Sequence, residues 1–211
     1  MGNRLLQDHD PSYPAEVKRK YKVREHTVGV VAEVVSKLAP PASEWMADAP
    51  TGIATALDTF VGYVMLDAWV ANQDRHHHNW AALQGDGLRL APTFDHGASL
   101  ARNILDEERK ARLQTQDANY TVRKFAEKAR SAFYGTAADE RALTTIDAFT
   151  AFARLSPAAA RLWLERLAAV QANAVESILR EIPPMRMSSV TSEFTLQLIL
   201  VNQERLLQER I

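Results

Sequence analysis

Eight consecutive polar residues, Asn72-Gln73-Asp74-Arg75-His76-His77-His78-Asn79, interrupt an otherwise apolar stretch, and a second polar knot follows at Thr93-Phe94-Asp95-His96-Gly97. Two carboxylates and an amide, Asp74, Asp95 and Asn79, are the inventory that phosphoryl transfer needs. One carboxylate orients the attacking hydroxyl and takes its proton late, while an amide oxygen and a second carboxylate hold Mg²⁺ against the phosphates. A carboxylate with an ordinary pKa near ~3.9 is a weak base, so its work is placement of the nucleophile and of charge. The same residues admit a second chemistry. His76 and His78 share a side in extended backbone, His77 points away, and Asp95 or His96 would add a ligand, giving a zinc hydrolase. Arg75 suits either phosphate charge or a carboxylate of its own loop.

The elements around the two knots are mostly helical. The Val-rich run from Thr27 to Leu38 places Val30, Val34 and Leu38 four apart, and Ala39-Pro40-Pro41 stops it. A second helix is expected from about Gly52 to Asn72 with Thr51 as its N-cap, apolar nearly all round (Ile53, Leu57, Phe60, Val64, Ala68; Tyr63, Leu66, Trp69) and therefore buried. Trp69 and Trp80, which flank the first knot, read as core anchors. Trp80–Leu83 and Leu88–Leu90 read as two short strands joined by QGDG, a hairpin that folds Asp95 back toward Asp74 and Asn79. Beyond Gly97 the pattern is helical. Ser156 is an N-cap followed by Pro157 at the first helical position, and one helix is expected to carry Trp163, Leu167, Val170, Ala174 and Ile178 on one face until Pro183-Pro184. A last helix carries Phe194, Leu198 and Val201. Residues 1–26 read as polar and irregular, with DPSYP as a turn. The fold class is mainly α, with one small β-hairpin between the two polar loops.

Composition narrows the function classes. Among 211 residues, 25 Lys and Arg face 26 Asp and Glu, so bulk electrostatic coating of nucleic acid is excluded and no direct nucleic-acid binding is expected. There is no Cys, which removes disulfide frameworks, thiolate zinc sites and thiol catalysis. The opening MGNRLLQDHD lacks the apolar core of a secretory signal, and the best apolar run, Phe60–Ala71, is short and carries Asp67. A cytoplasmic protein without a membrane segment is expected. Lys18, Arg19, Lys20, Lys22 and Arg24, and likewise Arg123, Lys124, Lys128 and Arg130, read as solvated faces.

The stretches DAWVANQDRHHHNWAAL and LAPTFDHGASL resemble the C-terminal lobe of the HipA-like kinases, atypical bacterial Ser/Thr protein kinases. The D-R-H-x-x-N core is also similar to the catalytic loop of phosphatidylinositol kinases. The likeness extends through YTVRKFAEKARSAFYG over nearly all of residues 1–211, strongest from Phe60 to Leu100. It implies a kinase-like C-lobe in which Asp74 is the catalytic aspartate, His76 braces its loop, and Asn79 and Asp95 bind Mg²⁺ and through it ATP. It implies a protein substrate phosphorylated on Ser or Thr, and an antitoxin-like regulator as a partner, since some family members belong to toxin–antitoxin modules. The family's N-lobe signature has no counterpart here. Upstream of Asp74 the glycines are Gly2, Gly29, Gly52 and Gly62, with no Gly-x-Gly. Gly85-Asp86-Gly87 falls in the hairpin turn, and Lys18, Lys20 and Lys22 lie in a run of charge. An N-lobe outside these residues is therefore expected as a partner. The alternative is a non-catalytic interaction module derived from such a lobe.

Overall fold

Thr55 starts the helix around which the rest is built. Its hydroxyl accepts from the Asp58 N–H at 3.0 Å while the Asp58 carboxylate accepts from the Thr55 N–H at 2.9 Å, a reciprocal capping box. The structure, a computed structural model, describes residues 1–15 and 23–211. In chain order its elements are α1 (Gly2–His9), α2 (Val28–Ser36), α3 (Ser43–Met46), α4 (Ala56–Trp69), β1 (Ala82–Gly85), β2 (Gly87–Leu90), α5 (Asp106–Gln114), α6 (Val122–Glu127), α7 (Thr145–Ala153), α8 (Pro157–Ala168), α9 (Ala172–Arg180) and α10 (Ser189–Leu207). The expected start of the central helix at Gly52, capped by Thr51, is corrected: Gly52 has φ +106°, a turn conformation no helix contains. Its end also comes earlier than Asn72. Ala71 adopts φ +52° and the Asn72 N–H reaches back to the Asp67 carbonyl at 2.8 Å, which turns the chain out of the helix.

Helix α4 is apolar all round because it is enclosed, packing against α2, α7, α8 and α10. Phe60, Val61, Val64 and Ala68 are fully buried and meet Phe149, Phe152 and Phe133. Ring centroids lie 5.4 Å apart for Phe60–Phe152 and 5.0 Å for Phe133–Phe152. Burying each such ring contributes about 1.5–3 kcal/mol. At Gly62 a side chain is excluded: an added Cβ would lie 2.4 Å from the Trp163 ring of α8. Trp163 Nε1 donates to the Asp58 carbonyl at 2.8 Å.

Several expectations need correction. Ser156 does stand at the N-cap with Pro157 behind it, yet its hydroxyl accepts no N–H of its own helix and donates to Asp58 Oδ1 at 2.7 Å. The expected single helix to Pro183 is two, α8 and α9. Gln203 Nε2 of α10 donates to both the Leu167 and Val170 carbonyls at 2.9 Å, satisfying the acceptors that the break exposes. The break shifts the helical phase by one residue, so Val175 and Leu179 are buried while Ala174 and Ile178 face out. Residues 1–26 are not irregular throughout, because Gly2–His9 is helical with Leu6 fully buried. DPSYP is a turn, closed by Ser12 N and Oγ donating to Asp10 Oδ1.

The hairpin pairs Ala82 with Leu90 through Gly85 with Gly87, two residues later at its start than expected. Ala39, where α2 has ended, donates to the Leu88 carbonyl and accepts from Leu90 N, both at 2.9 Å, so the helix stop also docks the hairpin. Among the described residues this two-stranded sheet is the only one, and no helix is long and apolar enough to cross a membrane. Of the basic run, Lys18, Arg19, Lys20 and Lys22 lie outside the described residues, and Arg24 is exposed. On the second charged face Arg123 pairs with Glu204, and Lys124 with Glu127 at 2.6 Å.

Candidate active site

A carboxylate inside the apolar helix organises the first polar loop. Asp67, 3 % exposed, receives Arg75 Nε at 2.6 Å and Nη2 at 2.7 Å in a two-pronged ion pair, and Asn72 Nδ2 at 2.8 Å. Arg75, 1 % exposed, spends its remaining Nη1 on the Asn79 carbonyl at 2.9 Å. The two open roles of Arg75 thus resolve to structural pairing. Asn72 Oδ1 accepts from Asp74 N at 3.2 Å, and Asn79 Nδ2 donates to the Asp74 carbonyl at 2.8 Å. The last of these bonds ties Asp74 directly to Asn79, the two ends of the spacing singled out from the sequence, and the others hold the residues between and before them.

The three histidines divide between two sides. His76 Nδ1 accepts from the His78 N–H at 3.1 Å, which puts its proton on Nε2, 3.3 Å from Asp74 Oδ1. That oxygen is buried and makes no hydrogen bond of proper geometry, so the contact is an electrostatic brace. The extended backbone expected here is corrected: residues 76–79 form a turn closed by Asn79 N donating to the His76 carbonyl at 2.8 Å, and His77, which does not line the cleft, meets the Tyr13 hydroxyl at 2.8 Å. Burial, reinforced by the neighbouring His78 and His76, holds the His77 imidazole down at about 4. Behind it His26, fully buried, donates from Nδ1 to the Ala132 carbonyl at 2.9 Å and accepts from Trp80 Nε1 at 3.2 Å. Its burial depresses it to about 3. Trp80 is a core anchor as expected, whereas Trp69 is half-buried.

The second loop is held differently. Ala91 N donates to the Ala81 carbonyl at 2.9 Å, and the Tyr63 hydroxyl donates to the Ala91 carbonyl at 3.2 Å, bringing the loop alongside α4. Thr93 Oγ1 bonds His96 Nε2 at 3.1 Å, and burial is the chief cause that lowers the His96 pKa. Asp95 itself is exposed, with φ +54°, a conformation Asp tolerates better than most residues.

All four residues expected from the sequence converge. An open cleft of about 600 Å³ is lined by Asp74, His76, His78, Asn79, Phe94 and Asp95, closed on one side by Met1, Asn3 and Arg4 of the N-terminal helix. The donor set suits a hard cation: Asn79 has committed its amide nitrogen, leaving the oxygen as its ligating end, and Asp95 offers an exposed carboxylate. Zinc is another matter. His76 and His78 do share the cleft, but among the described residues no three His, Asp or Glu side chains converge as a metal-holding group. The zinc-hydrolase expectation is corrected on that geometry, with His76 Nδ1 already engaged by the loop's own backbone.

No family model and no curated protein matches the chain. Among solved structures it is similar to the Helicobacter pylori proinflammatory kinase CtkA, with a TM-score of 0.66 and 17 % identity, over 100 % of this chain and 68 % of that one. The fold is kinase-like. At this identity the likeness is one of fold alone.

Sequence reasoning missed the residues that support the site. Asp67 was legible as a lone carboxylate in a buried helix, a placement that requires a partner. Gly2, Asn3 and Tyr13 carried no such signal.

Proposed function

We propose that this chain is the catalytic lobe of an ATP- and Mg²⁺-dependent kinase of the HipA-like kind, transferring phosphate to a Ser or Thr hydroxyl of a protein substrate. The carrying observation is that Asp74, Asn79 and Asp95, in kinase order and spacing, open onto one cleft. In this reading Asp74 orients the attacking hydroxyl and receives its proton late. His76 Nε2–H holds the Asp74 carboxylate and keeps Oδ1 turned inward. Asn79 Oδ1 and the Asp95 carboxylate are the residues that would hold Mg²⁺, which supplies charge neutralisation at the phosphates when bound with nucleotide. Arg75 and Asp67 set the distance between Asp74 and Asn79 and do not touch substrate. Residues 1–211 span one lobe, and an N-lobe outside them provides the glycine-rich clamp and lysine; an antitoxin-like regulator is the further partner.

The second reading is a non-catalytic interaction module. It is favoured by one observation: among the described residues the only sheet is the hairpin, so the phosphate clamp of a kinase has no element to sit on.

Thermal melting with Mg²⁺·ATP separates the two. A ligand at about a hundred times its Kd stabilises by roughly 2.7 kcal/mol, which moves the Tm of a domain this size by about 5–10 °C. The expected result is a shift that needs Mg²⁺, is lost in Asp95→Asn and survives in Asp74→Asn. The absence of any shift at millimolar nucleotide would mean that this lobe alone does not hold nucleotide, and the interaction module would lead unless an added N-lobe restored binding.

A further inference from the structure

The N-terminal segment reaches the catalytic loop from behind through contacts spread over its length. Gly2 N donates to the Trp80 carbonyl and Asn3 N to the His77 carbonyl, both at 2.8 Å. These are backbone bonds to the residue just after the loop and to one inside it. The Tyr13 hydroxyl, on a residue 3 % exposed, meets His77 Nδ1 at 2.8 Å. Asn3 Nδ2 donates to the Ala15 carbonyl at 3.1 Å and ties the segment's two ends to each other. The approach at Gly2 is close: an added Cβ would lie 2.4 Å from Trp80 Cε2 and 2.8 Å from the His77 carbonyl oxygen. The other end of α1 is fastened to α2, where His9 bonds Glu33 at 3.1 Å and Lys37 at 2.8 Å. The same helix that grips the loop supplies Met1, Asn3 and Arg4 to the cleft wall.

We infer that residues 1–15 are a clasp that sets the catalytic loop, with Gly2 and Tyr13 as positioning residues that hold Asp74 and Asn79 through His77 and Trp80. The inference rests on the kinase reading for what the loop does, and on the contacts above for how the loop is held. His77 is the pivot: its side chain and its carbonyl are both engaged by the segment, and its two chain neighbours, His76 and His78, line the cleft. Displacing the segment releases the loop from one side while leaving the Asp67–Arg75 pair on the other. The clasp thereby couples the presence of α1 at the cleft wall to the geometry of the site.

The test is residue-resolved hydrogen exchange combined with Mg²⁺·ATP melting, on the wild-type chain, Tyr13→Phe, Gly2→Ala, and Gly29→Ala as a control whose added methyl meets nothing within 4 Å. Tyr13→Phe keeps the ring and folds even where Gly2→Ala does not. The expected result is exchange at least tenfold faster at the amides of residues 74–79 in Tyr13→Phe and Gly2→Ala, with α7 and α10 amides unchanged and Gly29→Ala like wild type. The apparent affinity for Mg²⁺·ATP falls at least threefold with it. A merely structural role would speed all slow amides together, and that outcome, or unchanged loop exchange in Tyr13→Phe, overturns the clasp. Selective loop exchange in a chain that binds no nucleotide upholds the clasp and counts against nucleotide binding by this lobe alone.

Discussion

The two loops that face the cleft are built on opposite plans. In Asn72–Asn79 the backbone is pinned: a buried two-pronged ion pair, three amide bonds and the back-side grip on His77 hold the main chain at Asp74 and Asn79, and the Asp74 carboxylate has the 3.3 Å contact with His76 Nε2. In Thr93–Gly97 the key carboxylate is exposed, its backbone is left-handed, and among the described residues its side chain makes no hydrogen bond. On the proposed kinase reading, the contrast matches a division of work between the two loops. A group that must orient a nucleophile gains from preorganisation, whereas a cation ligand can be ordered by the cation it binds.

The largest break in this comparison should come from Arg75→Ala, which strands the buried Asp67 carboxylate. Losing one member of such a pair costs about 3–5 kcal/mol, a large part of a typical 5–15 kcal/mol, read as a lower urea midpoint. The double variant Asp67→Leu/Arg75→Met should recover part of the loss, since neither charge is left buried alone; a double variant worse than Arg75→Ala would contradict the account.

Acid should weaken the fold that backs the first loop, where His26 accepts from Trp80 Nε1. His26, neutral in the folded chain, is held at about 3 by burial, against an ordinary value of 6.5. Below pH 6.5 the unfolded chain takes up a proton that the folded chain refuses until about 3, so stability is full above 6.5 and falls as the pH drops through that window. The slope for this one group is up to about 1.4 kcal/mol per pH unit. Urea midpoints followed across the window should show it, and His26→Gln should flatten the dependence by about one proton; an unchanged slope would remove His26 from the account.

The smallest effect belongs to the second loop. Asp95→Asn is expected to change stability by no more than about 0.5 kcal/mol, as for an exposed group without a partner, although it abolishes the Mg²⁺-dependent shift. A substantial loss of stability in Asp95→Asn would mean that its loop is as preorganised as the first.

Much of the site was legible along the chain. Asp74, Asn79 and Asp95 stood out because polar residues at fixed spacing followed a buried helix and bracketed a hairpin, whereas the burial of His77 depended on the turn at residues 76–79 and on Tyr13. What was not legible depended on phase and on partners. The start of α4 went to Thr55 and not Thr51 because Asp58, three residues on, completes a capping box and Gly52 is already committed to a turn. The break between α8 and α9 is stabilised by Gln203, a residue of another helix, so no local pattern announced it.

Local sequence sufficed for whatever depends on neighbours a few residues apart: helical stripes, the hairpin, the stop at Pro40 and the spacing of the two loops. The fold had to be seen for anything that depends on desolvation and on distant contact. Asp67 and Arg75 can be buried where the surrounding helices exclude water only because each is the other's partner. Tyr13 and His77, 64 positions apart, meet only because α1 packs against the loop's far side. Gly2 matters for the same reason: the chain's need for a missing side chain appears only where another backbone and a ring already occupy the space.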